Sequence, residues 1–363
     1  MGEPHTNRPK IKEPPFDITN YYEKGRTGLA NLGNTCFLNS CVQVLNHTYE
    51  LTHFLTKPAY ETHLKKELPE TILFQEWKDL QRVMWSNNGV VSPNRFVYNV
   101  QKIAEKKGKD IFTGWAQNDL SEFLLFLVDC MHNSISRGIQ IKVLGQVENS
   151  VDKKAVACYS MLQTVYSKEY SEIMELFYGI SISELTSMDR STIHSITPEP
   201  FFILDVPIPV QSNGIDLYDC LNTYTSPEIL AGENAWLNPA TGSKEDVQKR
   251  ITFWSFPKIL VITLKRFSPD GTQKRGDCID FPLEDLDMSK YVEGYEPSQY
   301  VYELYGVCNH IGNVWGGHYT AYVKTAEKKW VHFNDTSVEM IDADKIITPM
   351  AYCLFYRKKN NLL

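Results

Sequence analysis

Apolar positions recur at helical spacing through the first third of the chain. From Cys36 to Asn46 no proline or glycine interrupts, and Leu38, Val42 and Leu45 share one face. Leu73, Trp77, Leu80 and Met84 repeat that pattern over residues 69–85. "PNRFVYNVQKIAEKK" opens on Pro93 and closes on lysines, which suits a helix. "QNDLSEFLLFLVDCMHNSI" puts Leu120, Phe123, Leu124, Leu127 and Met131 on one stripe. Residues 136–200 are mixed and yield no clear element. From Phe201 the pattern changes to β-branched and aromatic runs broken by turns: "FFILDVPIPV", "RITFWSFPKILVITLKRF", "YVYELYGVCNHIG", "GGHYTAYVKT", "KKWVHFND" and "AYCLFYRKK". "SPDGTQ" reads as a hairpin-like turn between two of these. A helical N-terminal part followed by a sheet-rich C-terminal part predicts an α+β fold with a cleft between the two.

Composition narrows the class. The 363 residues are 42% hydrophobic and carry 20 Tyr, 17 Phe and 7 Trp, enough for a large core and unlike a disordered chain. The net charge of −7 is not the basic footprint of a nucleic-acid binder. No window is long and apolar enough to span a bilayer, and "MGEPHTNRPKIKEPPF" has no apolar signal region. Neither nucleic acid nor membrane is therefore expected as a partner. Residues 1–26, rich in proline and charge, read as an extended arm. The eight cysteines are scattered without a CxxC pair, which fits a reducing cytoplasmic or nuclear setting where most are buried small hydrophobes.

Cys36 differs from the others in its neighbours. In "TGLANLGNTCFLNSCVQVL" it stands where a polar loop gives way to an apolar run, and Asn34 and Thr35 are natural helix-capping residues. Amides at a helix start lower a thiol's pKa. On composition alone a buried, inert thiol remains the simpler reading. A nucleophilic cysteine needs a histidine base and a group to orient it. Of nine histidines, His318 in "WGGHYTAYV" follows Gly316 and Gly317, which let a backbone or a ligand approach closely. "KKWVHFNDTSVEMI" comes next, and either Asn334 or Asp335 could hold the imidazole in the correct tautomer. A satisfied sheet histidine and a plain Asn-Asp turn would explain these residues one by one. The order of cysteine, histidine and Asn/Asp is that of papain-like proteases.

Longer segments carry a resemblance. "GLANLGNTCFLNS" resembles the Cys box of the ubiquitin-specific protease family. "YELYGVCNHIGNVWGGHYTAYVK", "WVHFND" and "AYCLFYRKK" resemble its His box, "AQNDLSEFLLFLVD" its Gln-Asp-Glu helix, and "FWSFPKILVITLKRF" with "IDFPLEDLDMSKYV" its palm strands. The resemblance runs from Gly28 to Lys358 with the boxes in order. It implies a papain-like fold of thumb (about 27–165), fingers (about 166–255) and palm (about 256–363) in a single catalytic domain. It also implies a deubiquitinating cysteine protease acting on ubiquitin and ubiquitinated proteins, with an activating protein partner left open. Cys36 is then the nucleophile, His318 the base and Asn334 the orienting residue, with Asp335 beside it. Asn31 stabilises the oxyanion, a charge that needs preorganised donors. Gln117 and Asp119 lie at the tail-binding cleft, although "DLSE" also resembles a capping box. Tyr319 packs on the tail, and His310 is structural or cleft-lining. Gly316 and Gly317 form a narrow channel that rejects bulkier peptides. The finger segments "YGISISELTSMDRSTIH" and "GENAWLNPATGSKED" lack the cysteine pairs by which many members hold zinc, and Cys220 with His194 do not make a set, so no metal or cofactor is expected. The same chemistry on a ubiquitin-like modifier and a non-catalytic ubiquitin-binding scaffold remain as alternatives.

Overall fold

The computed structural model describes residues 17–109, 112, 116–210 and 214–359. The predicted amphipathic segments form helices, and they are the apolar ones that pack. These are α1 (Cys36–Asn46) and, after α2 (Tyr49–Thr56), a helix that the apolar pattern did not single out, α3 (Pro69–Ser86), α4 (Asn94–Lys106) and α5 (Leu120–Ile135). Pro69 sits in the first turn of α3, where its missing N–H leaves no bond unmade. Trp77, Leu73 and Met84 of α3 and Phe123, Leu124 and Leu127 of α5 are buried in one hydrophobic cluster. Every residue of α1 is buried, polar ones included. This helix lies between α5 and the large sheet, at the seam of the two halves.

The main path of the large sheet runs Ser337–Ile341, Trp330–Asn334, Gly316–Lys324, Val301–Asn313, Ala351–Lys358, Ile259–Lys265 and Ile203–Pro207. Along this path only the last pairing is parallel. "ILVIT" is buried on both faces, as a continuous apolar strand inside a sheet requires. Strand Val301–Asn313 lets α1 come close because residue 306 is glycine. A Cβ there would stand 2.4 Å from Val44 Cγ1.

A second, four-stranded antiparallel sheet runs Ile193–Phe201, Gly179–Ser187, Val247–Ser255, Glu228–Leu230. The region without a clear pattern resolves here. It contains α6 (Ser150–Tyr166) and α7 (Glu172–Phe177), and leads into the first two of these strands. Helix α6 opens on a capping box between Asn149 and Asp152 and lies on the four-stranded sheet, with Ala155 and Cys158 against Ile182 and Trp254. α8 (Leu217–Thr225) packs beside strand Ile203–Pro207. "SPDGTQ" does turn, with Gly271 at φ +66°, but it closes a single bridge between Phe267 and Lys274 rather than two strands.

Residues 1–16 of the expected arm lie outside the described residues. From residue 17 the chain is not simply extended. Ile18–Tyr21 makes a 3-10 turn, and the Tyr21 ring stands 4.9 Å from both the Tyr49 and Trp85 rings. An aromatic side chain with such partners gains more by packing than by solvation.

Candidate active site

Cys36 is the first residue of α1, as the loop-to-helix change predicts. The capping is different from the expectation. Thr35 occupies the N-cap position, yet its hydroxyl makes no capping bond and instead accepts from Leu32 N–H at 2.9 Å. Asn34 turns the chain with φ +56°. The first amides of α1 therefore stay available to the thiol. Cys36 is 3% exposed, and burial pushes its thiol pKa up. The backbone amide of Tyr319 pulls it down, the Asp335 carboxylate pushes it up, and the amides of Phe37 and Cys36 pull it down. Desolvation thus outweighs the helix start, contrary to the lowering read from the sequence. An ionised thiol here needs a cation beside it.

His318 lies on strand Gly316–Lys324, one residue before Tyr319. Its Nε2 is 2.7 Å from Asn334 Oδ1. Since a carbonyl oxygen only accepts, Nε2 carries the hydrogen and Nδ1 keeps a lone pair. Asn334 ends strand Trp330–Asn334, and the chain turns at Asp335 with φ +50°. The turn sends the Asp335 carboxylate elsewhere. Its Oδ1 accepts from Asn39 Nδ2 at 2.8 Å and its Oδ2 from Asn31 Nδ2 at 3.0 Å. Its backbone carbonyl accepts from Leu29 N–H at 2.8 Å. The choice left open by the sequence is thereby made: Asn334 meets the imidazole, and Asp335 ties down the loop before Cys36.

Asn31 is locked from both ends. Its Oδ1 accepts from the backbone N–H groups of Gly33 and Thr35, each at 3.1 Å, while Nδ2 donates to Asp335. An amide nitrogen has two hydrogens, so one remains for an anion beside Cys36. Asn39 is a participant that the sequence reading missed. The signal was a polar side chain one turn after Cys36, but Ser40, Gln43 and Asn46 on the same helix dilute it.

Gln117 pairs with one backbone residue in both directions. Gly317 N–H donates to Oε1 at 2.5 Å, and Nε2 donates to Gly317 O at 2.7 Å. Gly317 itself is fixed from below, because a Cβ on it would stand 2.2 Å from His310 Nε2 and 2.4 Å from Ile311 O. The glycine is thus demanded by the chain's own packing. His310 is 4% exposed among Phe267, Tyr319 and Tyr352, and burial lowers its pKa to about 4, with Lys274 adding to the effect. A ring held neutral and covered is structural. The Tyr319 ring, expected from the sequence to pack on the tail, is buried against His310 and Tyr352.

Asp119 is the N-cap of α5. Its Oδ1 accepts from the amides of Ser121 at 2.8 Å and Glu122 at 3.1 Å, and its Oδ2 from the Tyr352 hydroxyl at 2.5 Å. Capping therefore accounts for much of this carboxylate. Glu122 remains exposed and, with Asp205, lines a groove of about 310 Å³ between α5 and the large sheet. Ser121, Lys265, Phe267 and Tyr352 also border it. In the sequence Glu122 is weighed only as the end of the "DLSE" capping box and Asp205 not at all, since only the fold brings the two together.

In the four-stranded sheet, the His194 ring lies 5.1 Å from the Trp236 ring at a tilt of 42°, while Cys220 is buried on α8 in a different cluster. Among the described residues no group of three His, Cys, Asp or Glu side chains is arranged to hold a metal ion.

A thiol, an imidazole with one free nitrogen, and fixed amide donors beside the thiol can together open a carbonyl compound by acyl transfer. Known proteins agree with that chemistry. The family model described as Ubiquitin carboxyl-terminal hydrolase matches residues 27–356. Ubiquitin carboxyl-terminal hydrolase 2 of Homo sapiens and its Bos taurus counterpart are each 34% identical over 346 residues, covering 92% of this chain and 55% of the relative. The chain thus spans about half the length of those relatives. The solved SAGA Ubp8/Sgf11/Sus1/Sgf73 DUB module bound to ubiquitin aldehyde shares the fold, with a TM-score of 0.70 at 24% identity over 93% of this chain and 70% of that one. The match spans the chain from the loop before Cys36 past the strands of His318 and Asn334, and on that ground the chain belongs to the ubiquitin carboxyl-terminal hydrolases of the ubiquitin-specific protease type.

Proposed function

We propose that this chain is a deubiquitinating cysteine protease that hydrolyses the bond after the C-terminal glycine of ubiquitin. The observation that carries the reading is the 2.7 Å bond from His318 to Asn334, on a strand whose next amide reaches the Cys36 thiol. With Nε2–H committed to Asn334, Nδ1 is the nitrogen that takes the thiol proton. The thiolate then attacks the glycine carbonyl, and the oxygen that becomes negative is met by Asn31 Nδ2–H and the Cys36 backbone N–H. The Nδ1–H protonates the departing lysine amine, the C–N bond breaks, and a thioester remains. Water, losing a proton to Nδ1, attacks the thioester and releases ubiquitin with a free carboxylate.

The groove beside α5 supplies the tail with its charge partner. Exposed Glu122 suits an arginine of the ubiquitin tail more readily than Asp119, whose oxygens are already engaged, or Asp205, which accepts from the Thr263 hydroxyl at 2.8 Å and lies 3.5 Å from Lys265 Nζ. Ubiquitinated proteins are the substrates of this reading, with an activating protein partner in some settings. Eight free cysteines, seven of them buried, support a cytoplasmic or nuclear site of action. The scaffold alternative leaves the complete set of Cys36, His318 and Asn334 without a purpose. Release of a fluorogenic amine from the C-terminus of ubiquitin tests the proposal. Turnover that disappears in Cys36→Ala supports it. A folded wild type that turns over a ubiquitin-like substrate and not ubiquitin would redirect it to that modifier.

A further inference from the structure

The Gln117 side chain occupies a position built for backbone. In an antiparallel ladder, a paired residue gives its N–H to the partner's carbonyl and accepts the partner's N–H in return. Gln117 makes that double exchange with Gly317 using its carboxamide. Alternate residues of a strand present their backbone groups to the same edge. Gly317 and Tyr319 both face away from strand Val301–Asn313: the former is bonded to Gln117, and the latter's N–H points to the Cys36 thiol. The neighbouring strand Trp330–Asn334 pairs only from Ala321 onward, so among the described residues no strand pairs with this short edge.

We propose that Gln117 is a displaceable latch, holding the ladder position on Gly317 that the extended tail of ubiquitin takes when it binds. The proposal rests on the ubiquitin-directed reading above. The tail residue at that point would form the same two hydrogen bonds, one donated and one accepted, as Gln117 leaves. The geometry separates a latch from a positioning role. Gly317 is already seated on His310 and Ile311 O and paired opposite Gly312, so it does not need Gln117 to keep His318 in place. Gln117 is itself exposed, and its amide can exchange Gly317 for water at little cost. A binding-competent state that is only part of the population weakens apparent affinity by that fraction, and removing the competitor restores it.

The test follows labelling of the full chain by ubiquitin carrying a C-terminal thiol-reactive group, as intact mass against time and probe concentration. The latch predicts that Gln117→Ala reaches half-maximal rate at a probe concentration roughly threefold to tenfold lower. Gln117→Glu should shift the same way, because a carboxylate repels the Gly317 carbonyl. Iodoacetamide labelling of Cys36, which needs no tail, should be equal in all three proteins. Hydrogen exchange over 316–318 in the free protein should be faster in Gln117→Ala. An unchanged or raised half-maximal concentration in Gln117→Ala, or slower iodoacetamide labelling, overturns the latch in favour of a neutral or positioning role. If wild type and variant both take iodoacetamide at Cys36 and both ignore the ubiquitin probe, the ubiquitin-directed reading fails, and the latch with it.

Discussion

Two adjacent residues, Asn334 and Asp335, carry separate duties. Asn334 bonds the imidazole, whereas Asp335 bonds Asn31 and Asn39. Their variants should therefore fail differently. Asn334→Ala frees the ring to rotate and should lower kcat/KM by about a hundredfold, with a change in the histidine-controlled limb of the pH–rate profile. Asp335→Ala should lower kcat while leaving that limb in place, because it loosens the oxyanion side and not the base. Asn31→Ala removes a donor and should lower kcat by about 10²–10³ with KM little changed. Steady-state kinetics across pH distinguish all three. Cys36, His318 and the Asn334–Asp335 pair were legible through their order along the chain and the longer segments around them, each being explicable alone, whereas the choice between Asn334 and Asp335 was not legible. Asp335's partners were not, for Asn31 and Asn39 lie 304 and 296 positions away and only folding sets them opposite it.

At the scale of elements, α1 is the part on which the site depends. It is buried throughout and pressed against a strand that has no side chain at residue 306. Gly306→Ala should cost about 1–3 kcal/mol by pushing Val44 and α1 outward. Adding Val44→Ala should recover part of that loss, a coupling that denaturant unfolding of the single and double variants would measure. The end of α1 carries a pH dependence. His47 is fully buried, its Nδ1 is 2.9 Å from Gln43 O, and burial lowers its pKa from 6.5 to about 4. The unfolded chain binds a proton there more readily than the folded one. Its contribution is thus complete above about pH 6.5 and is lost as pH falls toward 4, by about 3 kcal/mol. Thermal unfolding across that window should show His47→Gln with a shallower acid slope than wild type. Helix α1 was readable from its unbroken apolar spacing. Helix α6 was not, because only Ala155, Cys158 and Asp152 of its 17 residues are buried, too narrow a stripe to read as a face.

Across the whole molecule, the helical part and the large sheet are joined on the side where α2 meets the last strand. Arg357 on that strand bonds Glu50 of α2 at 2.6 Å and the His47 carbonyl at 3.0 Å, with both charged side chains under 10% exposed. The guanidinium also lies over the Tyr305 and Tyr49 rings, at 4.4 and 4.9 Å. Glu50→Ala would leave a buried cation unpaired and should destabilise the protein by about 3–5 kcal/mol in denaturant unfolding. The division into a helical part and a sheet-rich part was visible as a change of period along the chain. The seam between them was not, since it is made of pairs such as Arg357 and Glu50, 307 positions apart. At that seam stand Cys36 from one part and His318 from the other. Their proposed joint action on ubiquitin is most directly tested by intact mass after exposure to ubiquitin bearing a C-terminal electrophile. Wild type should gain the mass of one ubiquitin, and Cys36→Ala should gain none. A folded wild type that stays unmodified, or a Cys36→Ala variant that is still labelled, would contradict the assignment.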